Sequence, residues 1–163
     1  MLVGNKIIWT QIQINKHLLP TNYTANKYDI SVNVACSFCQ IHPEELHLLM
    51  WGCGVVRQFW TMVENMLSNF YPLFVLGRKE AIFGHSGSEG DSIFNTLLIL
   101  SRYFIWKMKF KKKILDEVDY LNYIKQQIEL IYYCKIAKEK KKEFIDEWKL
   151  ILDHIEINVY SLS

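Results

Sequence analysis

Glycine and proline are scarce in this sequence, with seven Gly and three Pro among 163 residues. Chains built from many short strands, such as β-sandwiches, and low-complexity chains need far more of both residue types at their turns. An apolar content of 50% also excludes a chain that is disordered throughout, because disordered segments are poor in apolar residues. These proportions predict an all-α globular body.

The sequence also lacks an uncharged apolar run of about eighteen residues, the length that a membrane-spanning helix needs. Arg57 and Glu64 interrupt one apolar stretch at 55–76, and Arg102 interrupts another at 93–105. The start of the chain has neither the basic region nor the cleavage site of a secretory signal. We therefore expect no membrane association and an intracellular location, nucleus or cytoplasm, where cysteines stay reduced.

Positive charge is concentrated in one part of a chain whose formal net charge is only +2. Residues 102–142 carry twelve basic and five acidic residues, whereas residues 1–90 carry six of each. The densest lysines are Lys107, Lys109, Lys111, Lys112 and Lys113. Because lysines bind phosphates and the aromatic residues between them can stack on unpaired bases, this run predicts a nucleic-acid-binding surface. The alternative is a solvated helix end, where lysines complement the helix dipole.

Four long stretches repeat apolar residues at helical steps of three and four. They lie at 54–72, 92–108, 117–132 and 144–155. We expect a long helix from each and no substantial sheet, with at most a short strand pair near the cysteines or at 81–83.

Shorter helices are predicted before the first of these stretches. Residues 5–19 are predicted to form a helix that stops at Pro20, and Thr21 is a predicted N-cap of a short helix after it. The sequence at 42–45, His-Pro-Glu-Glu, is typical of a helix start, because proline and acidic side chains are favoured in the first turn.

Three cysteines and a histidine have the spacing of a structural metal site, C-x2-C-x7-H-x5-C. These residues are Cys36, Cys39, His47 and Cys53. Two thiolates three positions apart on a tight turn can bind one edge of a tetrahedral zinc ion, and a short helix can supply the other pair. Four ligands leave no open position for water, so the zinc would be structural. His42 is an alternative third ligand, and cysteines that only fill a core are the alternative to a metal site.

The residues around these cysteines resemble the zinc-binding module that follows the polymerase in reverse transcriptases of non-LTR (LINE-type) retrotransposons. The shared pattern is an L-P-T-N helix start, C-x-F-C, an acidic turn, a His, W-x-C and F-W. In this chain it falls at 19–22, 36–39, 44–45, 47, 51–53 and 59–60. The later segments AIFG, SRYFIWKMKFKKK and IAKEKKKEFIDEW also resemble the helical tail of that family, so the resemblance covers nearly the whole chain.

One spacing differs from the pattern of the family. Five residues separate His47 from Cys53, where the family usually has four. One helical position turns a side chain by about 100° around the helix axis. The resemblance therefore implies a structural zinc if the local turn absorbs the extra residue, and a lost zinc site if it does not.

The resemblance implies a noncatalytic nucleic-acid-binding module that acts beside the polymerase part of a retroelement protein, with single-stranded RNA favoured over DNA. The sequence contains no paired-aspartate polymerase motif, endonuclease constellation, phosphate-binding glycine loop or nucleophile elbow, so we do not expect an enzyme. The alternative function is a helical scaffold or protein-interaction domain, including a degenerate retroelement fragment, that binds no nucleic acid.

The predicted architecture is an all-α fold with a small zinc-knuckle-like segment embedded in a helical domain. We divide the chain into a zinc-binding helical module at 1–76, a loop or linker at 77–92, and a basic helical tail at 93–163 that packs on the first part. Cys134 falls at an apolar step of this tail and is predicted to be a core residue.

Overall fold

The fold is built from α-helices and one π-helical turn in the computed structural model, which describes residues 4–70, 72, 75–85 and 91–154. The α-helices are α1 (Asn5–Asn15), α2 (Asn22–Asn26), α3 (Gly54–Ser68), α4 (Arg78–Phe83), α5 (Asp91–Lys111), α6 (Glu117–Ile136) and α7 (Lys141–His154). The π-helical turn spans Leu48–Gly52, immediately before α3. Helix accounts for 68% of the structure and the described residues form no sheet, which confirms the all-α prediction.

The four long periodic stretches form the four longest helices, α3, α5, α6 and α7. Among the described residues, one isolated antiparallel β-bridge joins Ala35 to Pro43. It lies near the cysteines, which is one of the two places where the sequence allowed a short strand pair. The other expected position for a strand pair, 81–83, is instead the last part of α4.

The start of α2 confirms Thr21 as an N-cap. Its hydroxyl accepts a hydrogen bond from the backbone N–H of Thr24 at 3.2 Å. In return, the Thr24 hydroxyl accepts one from the backbone N–H of Thr21 at 2.8 Å. This reciprocal capping box satisfies two backbone donors that a five-residue helix has no other means of pairing.

The hydrophobic core formed by the described residues includes residues from both the predicted module and the predicted tail. At its centre, the ring of Phe59 on α3 lies 5.7 Å from that of Phe104 on α5 and 5.1 Å from that of Tyr120 on α6, measured between centroids. Aromatic rings bury large apolar areas, so this contact joins the three longest helices of the fold.

None of the described helices combines the length and apolar character needed to cross a membrane.

The prediction that Cys134 lies in the core is wrong, because its side chain is exposed. The buried residues of α6 end at Tyr132, so Cys134 follows the last core contact of that helix. Two other predicted features, residues 86–90 of the predicted loop or linker and the end of the last periodic stretch at 155, lie outside the described residues.

Candidate metal centre and adjoining grooves

Three of the four predicted metal ligands lie together in the fold. The Sγ atoms of Cys36, Cys39 and Cys53 are all within 4.8 Å of one another. In a tetrahedral zinc site with Zn–S bonds of about 2.3 Å, neighbouring sulfurs are roughly 3.8 Å apart. The cysteine cluster formed by these three residues can therefore hold a metal ion with little rearrangement.

Backbone N–H groups are directed at two of these sulfurs by the tight turn that carries them, which we call the knuckle (residues 36–42). The amides of Phe38 and Cys39 donate to Sγ of Cys36, and those of Ile41 and His42 donate to Sγ of Cys39. The turn is closed by a 2.8 Å hydrogen bond from the backbone N–H of Cys36 to the carbonyl of His42. Donors around sulfur stabilise the thiolate, which is the form that binds a metal.

The pKa values of the two thiols shift in opposite directions. Burial raises the pKa of Cys36 to about 12, against the opposing effect of its two amide donors. Burial acts in the same direction on Cys39, but hydrogen bonds from the amides of Ile41 and His42, together with those shared with the thiols of Cys53 and Cys36, hold the pKa of Cys39 below its ordinary value. A cation among the sulfurs would remove the cost of ionising them side by side, so metal binding and thiol deprotonation are coupled here.

The five residues between His47 and Cys53 form the π-helical turn. Its closing hydrogen bond runs from the backbone N–H of Cys53 to the carbonyl of Leu48 at 3.0 Å. A π-turn holds one more residue than an α-helical turn, so the backbone can reach Cys53 without breaking the helical path.

The His47 side chain is exposed and lies against Gly52, where an added Cβ would stand 3.1 Å from its Cε1 atom. Neither His47 nor His42 has a ring nitrogen within 4.8 Å of all three sulfurs. Partial covering of the imidazole ring by neighbouring residues, and then the positive charge of Arg78, lower the pKa of His47 and favour the neutral imidazole that a metal requires. The structure thus brings together three of the predicted ligands and places the fourth beside the π-turn.

A buried ion pair joins Glu44, which lies two residues after the knuckle, to α5. Lys109 Nζ lies 2.6 Å from Glu44 Oε1, and the two side chains are 9% and 0% exposed. The Glu44 carboxylate also accepts hydrogen bonds from the backbone N–H groups of Asn22 at 3.0 Å and Ser37 at 2.7 Å. Glu44 therefore stabilises the first turn of α2, across the fold, and not the helix that follows it in sequence.

A cavity of about 690 Å³ lies between the knuckle and the C-terminal end of α5, and we call it the knuckle groove. Its lining includes Asn33, Ser37, Gln40, Lys109, Lys112 and Lys113. Lys112 and Lys113 are exposed, and no acidic residue is among the described residues that line the groove.

The other two predicted lysines lie on a different side of α5. Lys107 and Lys111 line a second cavity, of about 370 Å³, together with residues of α1 that include Lys6 and Trp9. Phe110 borders both cavities. The sequence pattern did not single out Lys6 or Trp9, because α1 is short and its exposed face could not be assigned to a partner helix in advance.

The chain matches no model of a known protein family and no curated protein. The resemblance to the zinc-binding module of non-LTR retrotransposon reverse transcriptases therefore stays a prediction.

Proposed function

We propose that the chain is a noncatalytic nucleic-acid-binding module in which a structural zinc ion holds the knuckle in place. The observation that carries this proposal is the shared lining of the knuckle groove, where residues of the cysteine-bearing turn face the exposed lysines that directly follow α5. A metal bound by the cysteine cluster would thus fix one wall of a groove whose other wall is basic.

Zinc is the metal that the ligand chemistry favours. Thiolates are soft ligands that select zinc, and a Cys-x-x-Cys turn with amide donors at its sulfurs is typical of structural zinc sites. The predicted set of three cysteines and His47 would give a closed tetrahedral site. The role of the zinc would be to stabilise the fold, because such a site leaves no open coordination position for chemistry.

The knuckle groove has the properties of a phosphate-binding surface. Asn33, Ser37 and Gln40 supply polar groups on one side, and Lys112 and Lys113 supply charge on the other. An exposed Asp119 lies 3.8 Å from Lys113, but an exposed ion pair of this kind contributes little and does not prevent phosphate binding. Contacts of this type carry little sequence information, so we expect binding of single-stranded RNA or DNA without strong base preference.

The test is a titration of labelled single-stranded RNA by fluorescence anisotropy at several salt concentrations. Each lysine that neutralises a phosphate on a single strand contributes a slope of about −0.7 to the plot of log affinity against log salt. The variant Lys112→Gln/Lys113→Gln should therefore flatten the slope by up to roughly 1.4.

A matched control is Lys138→Gln/Lys142→Gln, which removes two exposed lysines outside both cavities and should leave the slope unchanged. If the unaltered protein binds neither RNA nor DNA at low salt, the proposed function is wrong and the scaffold alternative replaces it.

A further inference from the structure

The second cavity, between α1 and α5, has a composition different from that of the knuckle groove. Four aromatic side chains and three lysines line it, and we call it the aromatic groove: Lys6, Trp9, Tyr103, Trp106, Lys107, Phe110 and Lys111. No acidic residue is among the described residues of its lining. Large rings and positive charge therefore face the same space, which is the combination that binds single-stranded nucleic acid.

Two of the rings are mostly exposed to solvent. Trp9 is 60% exposed and Phe110 is 64% exposed, although the fold buries most of its other large aromatic side chains. The Phe110 ring meets the Trp106 ring edge to face, with 4.4 Å between centroids and an interplanar angle of 89°. Since Trp106 is only 9% exposed, it provides a fixed base that holds the Phe110 ring in one orientation.

The lysines of the aromatic groove have no acidic partner among the described residues, in contrast to Lys109. Lys107 and Lys111 are four residues apart on α5 and therefore lie on the same face of the helix. A bound phosphate would relieve the repulsion between these two like charges. With its phosphate on these lysines, a bound strand could place its bases against the rings of Trp9 and Phe110.

We infer that the aromatic groove holds unpaired bases of a single strand on Trp9 and Phe110, with the phosphates on Lys6, Lys107 and Lys111. This inference rests on the proposed function and adds a preference for single strands over duplexes. A duplex keeps its base faces stacked inside the helix and cannot offer them to a side chain. Phe110 borders both grooves, so one strand can pass from the aromatic groove over Phe110 to Lys112 and Lys113.

The experiment compares labelled single-stranded RNA with a duplex RNA of the same length, using the variants Trp9→Ala and Phe110→Ala. Loss of one stacked base should weaken single-strand binding by about 5- to 150-fold for each variant and leave duplex binding unchanged. Tyr28→Ala is the matched control, because Tyr28 is 94% exposed and lines neither groove. Far-ultraviolet circular dichroism verifies that each variant is as helical as the unaltered protein.

Two results would overturn the inference, and they differ from failure of the proposed function. In the first, both alanine variants bind single-stranded RNA as well as the Tyr28 variant does. In the second, the unaltered protein binds duplex and single strand equally well. In either case the salt slope can still depend on Lys112 and Lys113, which would leave the proposed function intact and remove only the stacking site. A protein that binds no nucleic acid would refute both.

Discussion

Lys109 and Glu44 form an ion pair with an N···O distance of 2.6 Å at the junction of the knuckle and α5. Lys109 is one of the five lysines that the sequence pattern assigned to phosphate binding. The structure directs its ammonium group inward, to the Glu44 carboxylate and, at 3.0 Å, to Oδ1 of Asn22. Its charge is thus already neutralised within the fold, which makes Lys109 a structural residue of the knuckle groove.

This pairing predicts that Lys109→Met will lower the free energy of unfolding by about 3–5 kcal/mol. Methionine keeps most of the apolar stem but leaves the Glu44 carboxylate buried without its cation, and an uncompensated buried charge is costly. Urea denaturation followed by circular dichroism measures the change.

A control and a double variant separate charge loss from packing loss. Lys112→Met alters an exposed lysine of the same groove and should change stability by no more than about 0.5 kcal/mol. Adding Glu44→Gln to Lys109→Met removes the orphaned charge and should recover part of the lost stability. Equal stability of Lys109→Met and the unaltered protein would show that the pair contributes nothing.

The cysteine cluster predicts one zinc ion per chain. Cys36→Ser/Cys39→Ser removes two of the three clustered thiolates and should abolish stoichiometric zinc, measured by elemental analysis of the purified protein. Cys134→Ser should leave the zinc content unchanged, because Cys134 is exposed on α6 and does not belong to the cluster. Unaltered protein that neither carries zinc nor takes it up at neutral pH would contradict this prediction and identify the site as lost.

Replacing His47 distinguishes a zinc site made by the three cysteines from one in which His47 is the fourth ligand. Because its ring lies beside Gly52 and outside the sulfur cluster, we expect His47→Ala to retain one zinc ion with reduced affinity. Complete loss of zinc would instead show that His47 turns in as a full ligand. If the unaltered protein binds no zinc, exchanging the residues at 47 and 48, which gives the His the spacing usual in the family, should restore binding.

Helix positions and the three clustered cysteines could be predicted from the sequence, because both depend on local spacing. The apolar period of α3 fixed its buried face, and the two-residue gap between Cys36 and Cys39 is characteristic of a metal-binding turn. The capping role of Thr21 is local in the same sense. Except for Cys53, which lies 14 positions after Cys39, these features involve residues only a few positions apart in the chain.

Contacts between distant residues could not be predicted in this way. The pairing of Glu44 with Lys109 depends on how α5 packs against the knuckle, so an acidic residue at an apparent helix start gives no sign of it. The lysine run also looked like one surface, although α5 ends at Lys111 and Lys112 follows it with a φ of 52°. The chain leaves the helix there, and in the fold Lys107 and Lys111 line the aromatic groove, while Lys112 and Lys113 line the knuckle groove.

Removal of the metal should affect the two grooves differently. One wall of the knuckle groove is the cysteine-bearing turn, whereas the described residues that line the aromatic groove all belong to α1 and α5. Chelation of zinc should loosen that turn, because the metal is then no longer present to join Cys36 and Cys39 to Cys53. We therefore expect chelated protein to bind single-stranded RNA more weakly and with a flatter salt slope.

RNA binding by the variants after zinc removal separates the contributions of the two grooves to affinity. Lys112→Gln/Lys113→Gln should lose its effect on the salt slope once zinc is removed, since the facing wall of the knuckle groove is no longer fixed. Phe110→Ala should still weaken binding, because its support by Trp106 does not involve the cysteines. Circular dichroism must first show that the long helices persist after chelation. If chelated and zinc-loaded protein then bind RNA with the same affinity and salt slope, the knuckle is no part of the nucleic-acid interface, and the groove beside it cannot be the phosphate site.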